Sequence, residues 1–318
     1  MEKKYYAQID ALKGIAIFFV VLAHSIILYP VNLMENEKCY FLFQLVSSVH
    51  MTLFFTVSGY CFSYDGSYKD YIFKKTKRIL VPYVVFNLMD MVPRCLFPGF
   101  VNRSKSIEES LLDMLLCGGE YWFLYTLFFI FLLYPILYKI QKRSTLAKII
   151  VEVCLLIIGF FPIPIEIFTI NQVCKFLVFF NMGMLIKECG LMVFEWRFPQ
   201  KWMFWGSIGG LGLMWVVLLL HFEWWLSMLT SFVGMLTIYL LMHWNQFVKC
   251  FARFGQYSLQ LYLLNGFLLV ISRTIICKLT VNPTAIIGFN MLIDFALSYL
   301  LIKYICTKIK PVRFLMGM

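Results

Sequence analysis

The sequence predicts an all-α, polytopic membrane protein: one domain over residues 1–318, a bundle of about ten transmembrane helices with both termini in the cytoplasm. Three observations lead there. Hydrophobic residues make up 61% of the chain and charged residues 14%, with a mean hydropathy of +0.80, well outside the balance of a soluble domain. Apolar windows of about 20 residues, each long enough to cross hydrocarbon, recur along the whole length. The basic residues alternate between successive loops, as the positive-inside rule requires.

The spans fall at roughly 14–30, 40–61, 79–97, 121–139, 149–165, 167–186, 202–221, 224–242, 258–276 and 282–302. Of the 28 Lys and Arg residues, only Lys38, Arg103, Lys105 and Lys278 lie in the odd-numbered loops. Arg94, Lys175 and Arg273 fall inside spans. All the others occupy the N-terminus, the even-numbered loops and the C-terminal tail. The net charge of +11 is therefore topology and lipid contact, and gives no reason to expect nucleic acid. Lys3 and Lys4 precede an apolar run that is too long for a signal peptide and has no small-residue cleavage site, so the first span is retained. The ten cysteines are scattered, without C-x-x-C or a His/Cys cluster, and predict neither a disulfide framework nor a metal site.

The first span, within DALKGIAIFFVVLAHS, carries the strongest chemistry. Lys13 and His24 are eleven residues apart, which on a helix puts them within about 20° of one face and about 16 Å apart along the axis. Asp10 lies near that face. A charge at the water boundary and an imidazole expected near mid-bilayer mark a functional site, because ionisable groups at depth are costly. The second span, HMTLFFTVSGY, runs the other way and brings His50 to a similar depth. A basic loop, SYKDYIFKKTKRILVPY, follows, with Lys74, Lys75, Lys77 and Arg78 at the threshold of the third span; such a cluster marks topology and can also hold phosphate.

In the third span Asn87, Asp90 and Arg94 share a face, and the Asp–Arg pair neutralises itself. The outer loop, 98–119, contains SIEESLLDMLL, where Ser106 and Glu109 form a capping-box pattern ahead of an apolar face of Ile107, Leu111, Leu112 and Leu115. A short surface helix is expected. Glu120 and Trp122 open the fourth span, where a carboxylate can bind a polar acceptor and the indole sits at the interface. Trp202, Trp205, Trp224, Trp225 and Trp244 cluster near span ends as an aromatic belt. Glu152, Arg273 and Asp294 are intramembrane charges without a partner legible in the spacing. In the ninth span Ser258, Tyr262 and Asn265 share a face, a pattern that serves interhelical hydrogen bonding or a substrate.

Together these stretches resemble the acyltransferase 3 family of bacterial integral-membrane O-acyltransferases, especially the branch similar to fucose 4-O-acetylase. The resemblance rests on DALKGIAIFFVVLAHS, where the family has Arg or Lys, ten residues, then His. It extends to HMTLFFTVSGY, the basic pair Lys75 and Arg78, YWFLYTLF and GQYSLQLYLLN. It implies a bundle of about ten helices in the bacterial cytoplasmic membrane that takes an acyl group, acetyl by default, from cytoplasmic acyl-CoA to a sugar hydroxyl of an envelope or lipid-linked glycan. Lys13 and His24 become the expected catalytic pair, with Asp10 and His50 beside them. Lys13, Lys75, Arg78, Ser58 and Gly59 are expected to meet the acyl-CoA, and His50, Glu120, Trp122, Tyr262 and Asn265 the carbohydrate acceptor. No metal is expected. Relatives often carry His where this chain has Asn265, an amide that can orient a substrate but cannot act as a base.

Two routes are open for His24: base for the acceptor hydroxyl, or a nucleophile acylated in passing. A glycan or lipid transporter is the rival function, since it too would use intramembrane charges; no repeat between the two halves of the chain supports it.

Overall fold

A computed structural model describes residues 6–96, 105–161, 163–190, 199–219 and 224–318, and among them there are helices and no strands. The helices are α1 (Ala7–Ile27), α2 (Glu37–Ser47), α3 (His50–Tyr60), α4 (Tyr68–Lys75), α5 (Val81–Leu96) and α6 (Ile107–Cys117). They continue as α7 (Trp122–Gln141), α8 (Thr145–Phe160), α9 (Ile170–Glu188), α10 (Gln200–Leu219) and α11 (Trp224–Leu241). The chain closes with α12 (Asn245–Gln256), α13 (Ser258–Leu279), α14 (Pro283–Leu301) and α15 (Lys310–Leu315). Below, the near face is the end of the bundle that carries Ala7, and the far face the end that carries Ile27.

Every expected span contains a helix, but among the described residues only six stretches are long and apolar enough to cross a membrane, or seven if a bent pair counts as one. The difference is physical. α5 and α8 have 16 residues each, short of the ~20 that hydrocarbon thickness asks for. The second span, Glu37–Tyr60, is among the six that qualify, although it is interrupted at Ser48–Val49, where α2 gives way to α3. The break is satisfied locally: the Ser231 hydroxyl donates to the Ser48 carbonyl at 2.6 Å, and a ring nitrogen of His50 lies 2.8 Å from the Val46 carbonyl. Hydrogen-bonding groups freed in a membrane must find such partners.

The segment between the eighth and ninth spans is not a simple loop. It holds α12, which lies against the near-face half of α1. A Cβ built on Gly255 would sit 1.6 Å from the Asp10 carbonyl oxygen, and one on Gly14 would sit 2.1 Å from that of Phe251. Only glycine permits this approach. α3 and α9 cross in the same way, with Gly59 against Phe180 and Gly183 against Thr56, each 1.8 Å from a backbone oxygen by the same construction.

Helix ends follow their sequences. The capping box of α6 forms in both directions, Glu109 N–H to Ser106 Oγ at 3.1 Å and Ser106 N–H to Glu109 Oε2 at 2.9 Å. The helix buries Ser110 and Met114, however, and leaves Ile107, Leu112 and Leu115 exposed, so its apolar face looks away from the bundle. Asn282 caps α14 ahead of Pro283, a proline where no donor is lost. Glu152 finds partners after all: Asn181 and Gln141 donate to its carboxylate, and Asn181 also accepts from Tyr134. Asp294 is fully buried on α14, a turn from Asn290 and from Ser298.

Candidate active site

α5 and α13 touch where Phe86 meets Phe267. Between them, closed by the ends of α1 and α7, lies a cavity of about 870 Å³. Of its lining, the buried Tyr262 and Asn265 form a deep end with His24, the more exposed Asp90, Arg94, Lys105 and Glu120 a mouth, and Ile271 and Ile275 an apolar wall.

His24 sits three residues from the end of α1, about 4.5 Å along the axis. It therefore lies in the far-face third of the helix rather than at its middle, because α1 begins at Ala7 and not near residue 14. Its ring is half-buried, with Nδ1 sealed in and unpartnered, while the residue faces the cavity. Asn265 lines the cavity beside that ring, its amide nitrogen buried and likewise without a hydrogen-bond partner among the described residues. α1 packs on both α3 and α13, which brings Asn265 to His24 and sets His50 close enough for the two imidazoles to interact electrostatically. His50 does not line the cavity.

The mouth is an ion-pair network that spacing alone could not assemble. Arg94 pairs with Asp90 on its own helix and reaches across to Glu120, its Nη2 3.2 Å from Oε2. Asn87 holds the Glu120 backbone, accepting its N–H at 3.1 Å while donating to the Tyr83 carbonyl at 2.9 Å. Lys105 pairs with Asp113 at 2.6 Å. Charges held at both ends make a rigid set of donors and acceptors, suited to neutral hydroxyl-rich molecules. Tyr121 adds a wall, its hydroxyl donating to the Leu263 carbonyl at 3.0 Å and its ring meeting that of Tyr262.

The remaining expected residues lie elsewhere. Trp122 stacks on Phe176 and is not part of the cavity lining. Gly59 serves the α3–α9 crossing, where its missing side chain is needed for packing. Ser58, half-buried on α3, is eight residues from His50, about 12 Å nearer the near face. Lys13 is at the near face, 3.1 Å from the Asp10 carboxylate; Asp10 is fourteen residues, about 21 Å, from His24. Lys75 lies over the Phe131 ring, 3.7 Å from its centroid, and Arg78 is exposed just before α5. The structure thus divides the candidates into a far-face chamber around His24 and a basic near face.

Arg273 is a positioning residue whose role spacing concealed. It is fully buried, and its Nη2 donates to the carbonyls of Ile26 at 3.3 Å and Val31 at 2.6 Å. It clamps the turn that follows His24 and places a cation at the negative end of α1. Arg273→Leu is expected to cost about 1–3 kcal/mol for each carbonyl left unpaired, read as a lower thermal midpoint in detergent. Arg273→Lys is expected to recover part of the loss.

A family model described as an acyltransferase domain matches residues 6–306, taking in both the far-face chamber and the basic loop. No curated protein matches the chain, and no solved structure does.

Proposed function

The chain belongs to the acyltransferase 3 family, and on that premise we propose that this membrane acyltransferase moves an acyl group, by resemblance acetyl, from cytoplasmic acyl-CoA to a sugar hydroxyl of an envelope or lipid-linked glycan. The near face is then cytoplasmic, in a bacterial inner membrane, and the far-face chamber receives the acceptor. The observation that supports this best is His24, half-buried at the deep end of a hydroxyl-compatible cavity, with Asn265 beside it.

In the proposed reaction the acceptor hydroxyl lies against His24. The neutral imidazole takes its proton as the oxygen attacks the thioester carbonyl. The carbon–sulfur bond breaks and the CoA thiolate accepts the proton from His24, leaving an ester and free CoA thiol. Asn265 steadies the ring, and its amide N–H can face the developing oxyanion. Asp90, Arg94, Glu120 and Tyr262 hold the sugar. At the near face Lys13, Lys75 and Arg78 meet the phosphates, about 16 Å below His24 in the case of Lys13, a span that suits an extended pantetheine arm. His50, outside the cavity, acts only through its electrostatic influence on His24, Gly59 and Trp122 being assigned to packing.

Purified protein given labelled acyl-CoA and a panel of sugars is expected to form sugar esters. Glycan crossing the membrane with acyl-CoA left intact would instead establish a transporter. Glu120→Gln is expected to raise the acceptor KM by about tenfold, the worth of one charged hydrogen bond, with acyl-CoA KM unchanged. An equal rise in both would remove Glu120 from the acceptor site.

A further inference from the structure

The family match stops at residue 306, yet the chain goes on to fold back onto the bundle. Val312 packs against the core. Met316 is only 3% exposed, and its carbonyl accepts a hydrogen bond from Gln260 Nε2 at 3.0 Å. Gly317 follows at φ +71°, and a Cβ there would lie 2.4 Å from the Arg78 carbonyl oxygen, 3.1 Å from Pro82 and 3.2 Å from Leu259. The last residues are therefore seated between the starts of α5 and α13, against the backbone of Arg78. A positive φ with backbone on one side leaves no room for another residue type.

This seat gathers charge. α15 carries exposed Lys310 and Arg313, and the segment before α5 carries exposed Lys77 and Arg78. None of these four cations forms an ion pair with a carboxylate among the described residues. On α15 Lys310 and Arg313 are seven and four residues from Gly317, a helical rise of about 10 and 6 Å, and Gly317 abuts the Arg78 backbone. Loose basic tails at a membrane surface are ordinary. A basic segment pinned by a buried methionine, a side-chain hydrogen bond and an obligatory glycine is a built feature.

We propose that residues 307–318 complete a phosphate-binding site at the near face, in which Lys310 and Arg313 join Lys77 and Arg78 to hold the phosphate-rich end of acyl-CoA. The inference rests on the acyl-CoA assignment above. A phosphorylated lipid headgroup has the same chemistry, and the test separates the two.

The probe is adenosine 3′,5′-bisphosphate, titrated by calorimetry into the full chain in nanodiscs of neutral lipid. Wild type is expected to bind it, and Lys310→Glu with Arg313→Glu to bind about tenfold more weakly or less, as loss of charge-assisted contacts requires. Gly317→Val, which unseats the segment without touching its charge, is expected to weaken binding in the same direction. Thermal midpoints report whether either variant remains folded. In turnover, the KM for acyl-CoA rises about fivefold or more while that for acceptor holds. Bisphosphate binding by wild type that the charge-reversed variant retains in full would overturn this inference alone. No binding by wild type would overturn the acyl-CoA assignment itself. A defect confined to discs containing anionic lipid would make the ligand a headgroup and overturn the assignment to acyl-CoA.

Discussion

His24→Ala is expected to lower ester formation by about 10²–10⁴-fold, the range a positioned general base supplies. The argument is geometric. His24 is the imidazole that lines the cavity, so no second imidazole is placed there to take over: His50 is engaged with the Val46 carbonyl outside it. Acyl-CoA binding is expected to survive, because the phosphate contacts are at the other end of α1. The loss should therefore fall on kcat. A chamber of about 870 Å³ also has room for free imidazole, which is expected to restore part of the rate to the alanine variant and not to wild type. Rapid-quench analysis of wild type with acyl-CoA alone should show no acyl-enzyme. Accumulation of one on His24 would replace the direct route with a relay.

Gly255→Val is expected to be the most damaging change away from the cavity. The new side chain would collide with the Asp10 backbone from its first atom, 1.6 Å away, and neither helix backbone can give way alone. Overpacking of this kind costs about 1–3 kcal/mol or more. The predicted result is a sharply lower thermal midpoint and loss of activity together, since α12 holds the Lys13 end of α1 in place. Gly212 makes the control. Nothing lies within 4 Å of a Cβ built there, so Gly212→Ala is expected to be neutral or slightly stabilising through helix propensity. Equal behaviour of the two variants would remove close approach as the reason for Gly255.

The helical class, the order of the spans and the capping box at Ser106 and Glu109 were legible because each depends on local composition or on spacing within one helix. The neighbourhood of His24 and Asn265 was legible only through resemblance, since helix periodicity says which face a residue takes and not which helix it meets. Three features escaped for physical reasons. The break at Ser48–Val49 contains no proline or glycine; it is stabilised from a distant helix by Ser231. Arg94 seemed satisfied by Asp90 one turn away, and only the packing of α5 beside the start of α7 adds Glu120. Arg273 is bound by main-chain carbonyls, which every residue possesses and no pattern of side chains announces. Motif position did not announce that Gly59 sits at a close helix crossing or that Trp122 stacks on Phe176, because both contacts are made with a distant helix.

The central claim is that an acyl group taken up at the near face is delivered to an acceptor in the far-face chamber by way of His24. The direct measurement uses proteoliposomes of uniform orientation, with labelled acyl-CoA supplied to the near face and a membrane-impermeant sugar acceptor enclosed on the far side. Labelled ester is expected to accumulate with the enclosed acceptor, at a rate that His24→Ala abolishes. Ester formed only on an acceptor placed with the acyl-CoA, or formed equally well by the alanine variant, would contradict it.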